Sequence, residues 1–310
     1  MTTSEEWVIN TLKIETARGT TEDRLYTNGH MQVGVLVFIG AQVSGTTDPY
    51  ELTDRDLKSL ELIGYNDDTR IEGVWEFSDQ ENCFDHIMPG TTSVPESQTS
   101  HPHGVQSIKF WVTTTKSEAE SIGARITQSN GIPYSTAADS DHASRVILTG
   151  IAPLRYGMED VTFEGTHISD DPWGGDIPCT QKNFFVTSNH YEFVKAERHG
   201  HVSERIMNRI HGTTGLYINF WDMNEEPELK EDHCAGVGGS LKVNQKRNSF
   251  CIGRLLMGPI GFGSPTPYKA KAWFEIFDRY GNSGIFYVDY DYDGNFELPK
   301  ISVTEPGWWK

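Results

Sequence analysis

Basic residues are scarce in this 310-residue chain, where 26 Lys and Arg stand against 44 Asp and Glu for a formal charge of −18. No run of Lys or Arg makes a local exception, so the field repels phosphate backbones and anionic lipid. Nucleic acid is therefore excluded as an expected partner. Long apolar runs are missing too: no stretch approaches about 18 apolar residues, and no membrane-spanning helix is expected. The opening MTTSEEWVINTLKIE has neither a basic n-region nor an apolar h-region. No secretory signal is visible in it, so the chain is expected to be cytoplasmic as synthesised, with any export by another route. Cysteine is sparse. Cys83, Cys179, Cys234 and Cys251 show no CxxC spacing and are expected to be reduced and buried; in an exported chain, Cys234–Cys251 would be the first pair to examine.

The signatures of catalysis are equally thin. No GxSxG segment occurs, so a nucleophile elbow is not expected. GFGSPT carries Gly261 and Gly263, but Pro265 and Pro267 deny it the following helix of a nucleotide-binding loop. With 44 carboxylates, any pair taken as a glycosidase dyad would be arbitrary. We expect no enzyme.

What the chain has is alternation of period two, with little helical periodicity. Met31, Val33, Val35, Val37 and Ile39 fall on one face of a strand. Ile108, Phe110 and Val112 alternate with polar or aromatic neighbours, as do Ile122, Ala124 and Ile126, then Val146 and Leu148. Phe184 with Val186, and Ile218 with Phe220, continue the pattern. Tyr268, Ala270, Ala272, Phe274 and Ile276 form its longest apolar face in the second half. Pleated strands put such groups together, whereas a helix would scatter them. With 36% hydrophobic and 11% aromatic residues the cores can be packed. The expected class is all-β: two antiparallel immunoglobulin-like sandwiches with short helical turns. Thr53 and Asp56 fit the N-cap and N3 positions of one such turn.

Length suggests two domains. The expected partition is an N-terminal arm or short helix over 1–20, a sandwich over 21–160 and a second over 161–310. The break is sought in the stretch 155–182, where DDPWGGDIPCTQ holds two Pro and two Gly. Polar loops are expected at 92–106, 165–182 and 222–240.

Two constellations resemble metal sites. VDYDYDGNFELP aligns Asp289, Asp291, Asp293 and Gly294 with the first half of a calcium loop, but its twelfth position is Lys300, which cannot ligate. A hairpin turning at Asp293-Gly294 explains every residue of the segment; the calcium alternative would use Asp291, Asp293 and Glu297. Histidines cluster as His101-Pro-His103 and His199-Gly-His201. His190-Tyr-Glu192, with His199 or His201, is the only fit to two histidines and one carboxylate.

These absences and presences point to contact rather than chemistry: a structural or interaction protein that self-assembles into a homo-oligomer or binds a surface. Trp7, Trp173, Trp308 and Trp309 are its expected docking residues, and Trp7–Ile14 could add to a neighbour's sheet edge. One alternative is a membrane-acting toxin or effector of the pore-forming type, in which the Ser/Thr-rich alternation of 107–150 would insert as a hairpin. The other is a carbohydrate-binding protein assisted by calcium. No other cofactor is expected.

Overall fold

A computed structural model describes the chain apart from residues 1–5, 92–103, 171–177, 200–204, 212–213, 222, 224–228, 235–236, 259–267, 270, 294–295 and 308–310. It is nearly all β, and it divides into two compact units, residues 1–153 and 154–310. The division falls a few residues ahead of the expected 160/161. No helix among the described residues is long and apolar enough to cross a membrane.

The first unit runs β1 (Trp7–Thr16), β2 (Glu22–Tyr26), β3 (Val33–Val43), β4 (Pro49–Tyr50), α1 (Asp54–Leu57) and β5 (Glu61–Gly64). It continues with β6 (Trp75–Ser78), β7 (Val105–Thr114), β8 (Ala119–Thr127), β9 (Pro133–Ser135) and β10 (Val146–Ile151). One sheet has the order β1-β3-β7-β6 with β4 on β3; the other has β2-β10-β8-β5 with β9 on β8. Every pair is antiparallel except β2 with β10. Val35, Val37 and Ile39 of β3 are fully buried, as are Ile122, Ala124 and Ile126 of β8 and Val146 and Leu148 of β10. Two-residue periodicity thus builds the core from the inner faces of two sheets.

Two expectations change here. Residues 7–16, expected as an arm or short helix, are a strand paired along β3 of their own unit, because Val8, Ile9, Thr11 and Ile14 suit a pleated edge. The stretch 107–150 is no single hairpin: β7 lies between β3 and β6, while β8 lies between β10 and β5 of the other sheet. Its residues Phe110, Val112, Ile122, Ala124, Ile126, Val146 and Leu148 are buried in the unit's core. The single turn at 54–57 stands as expected, with Thr53 Oγ1 accepting from the Asp56 N–H and the Asp56 carboxylate accepting from the Thr53 N–H at 2.9 Å.

The second unit opens with a 3₁₀ turn at Met158–Asp160. Its first strands are β11 (Val161–Ser169), β12 (Cys179–Ser188), β13 (Phe193–His199), β14 (Arg205–His211), β15 (Thr214–Trp221) and β16 (Leu229–Cys234). β17 (Val237–Lys242), β18 (Ser249–Met257), β19 (Tyr268–Lys269), β20 (Ala272–Asp278), β21 (Ser283–Asp293) and β22 (Phe296–Ser302) follow. A six-stranded sheet, β11-β12-β18-β15-β14-β19, faces a four-stranded one, β13-β20-β21-β22. Their inner faces meet in a phenylalanine-rich core. Phe250 stacks on Phe274 at 4.1 Å, and Phe220 meets Phe274 edge-on at 5.8 Å. The strand expected from Tyr268 to Ile276 is two: β19 pairs with β14 in the six-stranded sheet, and β20 with β13 and β21 in the other. The loops expected at 165–182 and 222–240 are shorter than read, since β11 reaches Ser169 and β16 pairs with β17.

The six-stranded sheet is buried on both faces along its middle strands β12, β18 and β15. Its outer side carries Cys179, Phe185, Trp221, Cys251, Leu255 and Met257, which pack with Leu241 and Val243 at the end of the β16–β17 ribbon. Buried amides pin that ending: Asn183 Nδ2 donates to the Lys242 carbonyl at 2.8 Å and to Gln245 Oε1 at 3.0 Å. Unsatisfied amides there would cost far more than the bonds contribute.

Candidate functional site

The outer face of the four-stranded sheet is dressed differently. A register shift between Phe193 and Lys195 lets Phe193 enter the core while Lys195, Glu197 and His199 stand opposite Phe277, Glu275 and Trp273. Across β20, Trp273 pairs with Tyr287 and Glu275 with Ile285. Three rings form a row: His199 stacks on Trp273 at 3.9 Å and 15°, and Trp273 lies 6.3 Å from Tyr287. Ile285 beside them is 40% exposed.

Charge gathers at one end of this row. Glu197 and Glu275 are direct cross-strand partners, an arrangement of like charges that costs stability unless something cationic answers it. Lys195 Nζ lies 2.6 Å from Glu197 Oε1, and Ser283 Oγ donates to Glu275 Oε1 at 2.7 Å. His199 Nε2 lies 3.9 Å from Glu197 Oε2, shielded from solvent and without a hydrogen-bond partner among the described residues. Glu197, His199 and Glu275 each offer one donor atom, all within 4.8 Å of one another.

Trp7 is an internal anchor, not a docking residue: it is 3% exposed, its ring lies 6.0 Å from Tyr134, and its Nε1 donates to Asp56 Oδ1 at 3.2 Å. Trp173, Trp308, Trp309, His101, His103 and His201 lie outside the described residues. Asp291 and Asp293 on β21 face Leu298 and Phe296 in the ladder, and Glu297 faces Tyr292. That ladder is the hairpin anticipated for the segment; the side chains of the three acids lie outside the described residues.

The grouping of His190 and Glu192 with His199 is not assembled. His190 Nε2 is 2.7 Å from Asp160 Oδ1, and β13, spanning about 20 Å at the usual rise, separates its end from that of His199. Asp160 is held below its ordinary range by the Gly157 N–H and then by His190. Sequence reasoning missed Glu197 and Glu275 as partners. The Glu-x-His spacing on β13 and the polar alternation of β20 were legible; their juxtaposition was not.

A cleft of about 540 Å³ opens in the first unit, lined by Arg18, Asp23, Asn82, Cys83, His86 and Trp111 among others. Trp111 lies over Gly34, where a Cβ would approach its ring to 3.2 Å, and His86 packs on Trp111 at 4.2 Å. Burial pushes the Asp23 carboxyl up, partly offset by the Arg24 N–H and the Arg18 charge. Cys83 is an exposed thiol at the rim, whereas Cys179 and Cys251 are buried thiols.

No protein-family model matches the sequence, and no curated protein is similar to it in sequence. The solved structures similar to it include domains 5–6 of the S-layer protein SbsC, at 6% identity and a TM-score of 0.21, covering 96% of this chain and 98% of that one. The Yersinia pseudotuberculosis adhesin InvE matches at 9% identity and 0.18, covering 94% and 58%. The C-terminal domain of the Streptococcus pyogenes antigen I/II-family protein AspA matches at 8% and 0.20, covering 91% and 98%. At these values the likenesses carry no argument about activity or partner.

Proposed function

We propose that the protein works by contact, as a non-enzymatic β-sandwich that binds a surface through the outer face of the second unit's four-stranded sheet. One observation carries this: the His199–Trp273–Tyr287 row lies beside carboxylates and the exposed Ile285, while the middle of the opposite outer face is filled. Half-buried aromatic rings held rigidly by a sheet offer contact area at little cost in side-chain entropy. Flanking acceptors at Glu197 and Glu275 suit hydroxyl-rich ligands, so a saccharide surface is the partner chemistry that fits best. Edge addition is less well supported, since a register shift and the Lys13–Glu15 pair blunt β1, and a second shift marks β13.

Glycan-array binding of the full chain tests the reading. Binding is expected, with Trp273→Ala reducing it at least about tenfold, the scale of an aromatic anchor. Equal binding by the variant, or none by the wild type, overturns it. Measurement of mass in solution at high concentration separates the self-assembling form of the reading from attachment to a foreign surface, and repeating the array with chelator separates the calcium-assisted form.

A further inference from the structure

We infer that Glu197, His199 and Glu275 form a binding site for a borderline divalent ion of the zinc class, on the outer face of the four-stranded sheet. The register provides the geometry. Glu197 and Glu275 face each other across the ladder, His199 lies two residues along on the same side, and the three donors fall within 4.8 Å. That spacing lets a single ion at about 2.0–2.2 Å from nitrogen and oxygen reach all three with small rotamer changes.

Two further observations favour a ligand over a chance cluster. The Nε2 of His199 is shut away from solvent with no hydrogen-bond partner among the described residues, although it sits beside a carboxylate. The ring plane is also fixed in advance by its stack on Trp273. An imidazole that is oriented, shielded and unsatisfied is one prepared to donate its lone pair.

The donor set selects the ion. Calcium takes oxygen ligands in sixes to eights and has no use for imidazole. One imidazole with two carboxylates suits zinc, and neutral imidazole plus two carboxylates makes the occupied site electrically neutral. Coordination positions remain on the solvent side for water or a ligand oxygen. Lys195, which now answers Glu197 at 2.6 Å, is the competing cation and must move aside. The site rests on these residues alone, whether or not the face docks a partner.

Isothermal titration of the full chain with zinc chloride is the test, with far-UV circular dichroism to verify each variant's fold. Zinc binding is expected to weaken about tenfold or more in His199→Ala and in Glu275→Gln, on the scale of losing a supporting or direct ligand. Lys195→Met should tighten it by removing the competitor. Should His199→Ala fail to fold, Glu275→Gln carries the test, because an amide still accepts the Ser283 hydroxyl. Zinc binding unchanged in the folded variants, absent from the wild type, or weaker than calcium binding at the same site overturns the assignment. Absence of glycan binding by the wild type with zinc binding intact would count against the contact reading and leave the ion site standing.

Discussion

Asp278 is a buried carboxylate that does structural work at the β20–β21 turn. Its Oδ1 accepts from the N–H groups of Tyr280 and Asn282 at 2.8 and 3.0 Å, and its Oδ2 from Tyr156 Oη and Asn282 Nδ2 at 3.1 and 3.0 Å. Burial pushes its pKa above the ordinary 3.8 in spite of those bonds, of which Asn282's is the first to oppose it. A carboxyl raised in the folded state binds its proton more tightly there than in the unfolded chain. Its contribution is therefore largest below 3.8 and is lost as pH rises through the raised value. Asp278→Asn is accordingly expected to cost more stability near about pH 4 than near about pH 7, which urea midpoints of both proteins would show. A cost independent of pH would contradict this. At the same scale, Thr53 and Asp56 were legible in advance because a capping box needs only three residues of sequence. Burial alone would raise Asp56, but hydrogen bonds from Thr53, then Trp7 and Tyr50, outweigh it and hold the group below its usual range. The Trp7 bond in that set was not legible, since it joins positions 49 residues apart.

Strands were legible wherever alternation ran unbroken, and misread wherever it lied. From the buried Phe193, strict alternation would put Lys195, Glu197 and His199 in the core; the register shift after Phe193 turns them outward instead. The apolar face from Tyr268 to Ile276 looks continuous in sequence yet serves two sheets, because nothing local records a change of partner. β16 and β17 were taken for loop, as EDHC and VGGS offer no alternating apolar set. The inner strands are where packing decides stability. Phe274 is fully buried and touches Phe220, Phe250 and Phe286. Phe274→Ala should destabilise by about 3–5 kcal/mol, the usual range for a large ring removed from a packed interior, as measured by denaturant unfolding. A loss below about 1 kcal/mol would mean that the two sheets do not share this core.

For the molecule as a whole, the charge of −18 sets the electrostatic background. Self-repulsion of that size destabilises the compact state and is screened by salt. The melting midpoint is therefore expected to rise as sodium chloride goes from about 10 to about 150 mM, over which the screening length shortens from about 30 to about 8 Å. A flat or falling response would show that local ion pairs outweigh the net field. The asymmetry of the second unit has a separate bearing. The middle of one broad side packs against residues at the end of its own ribbon, while the other presents the half-buried ring row to a visitor. Should the visitor be another molecule of the same kind, like surface must meet like, and the encounter closes on itself with two-fold symmetry. Such a pairing stops at two; growth into a lattice would need a second, unlike patch supplied from elsewhere on the chain.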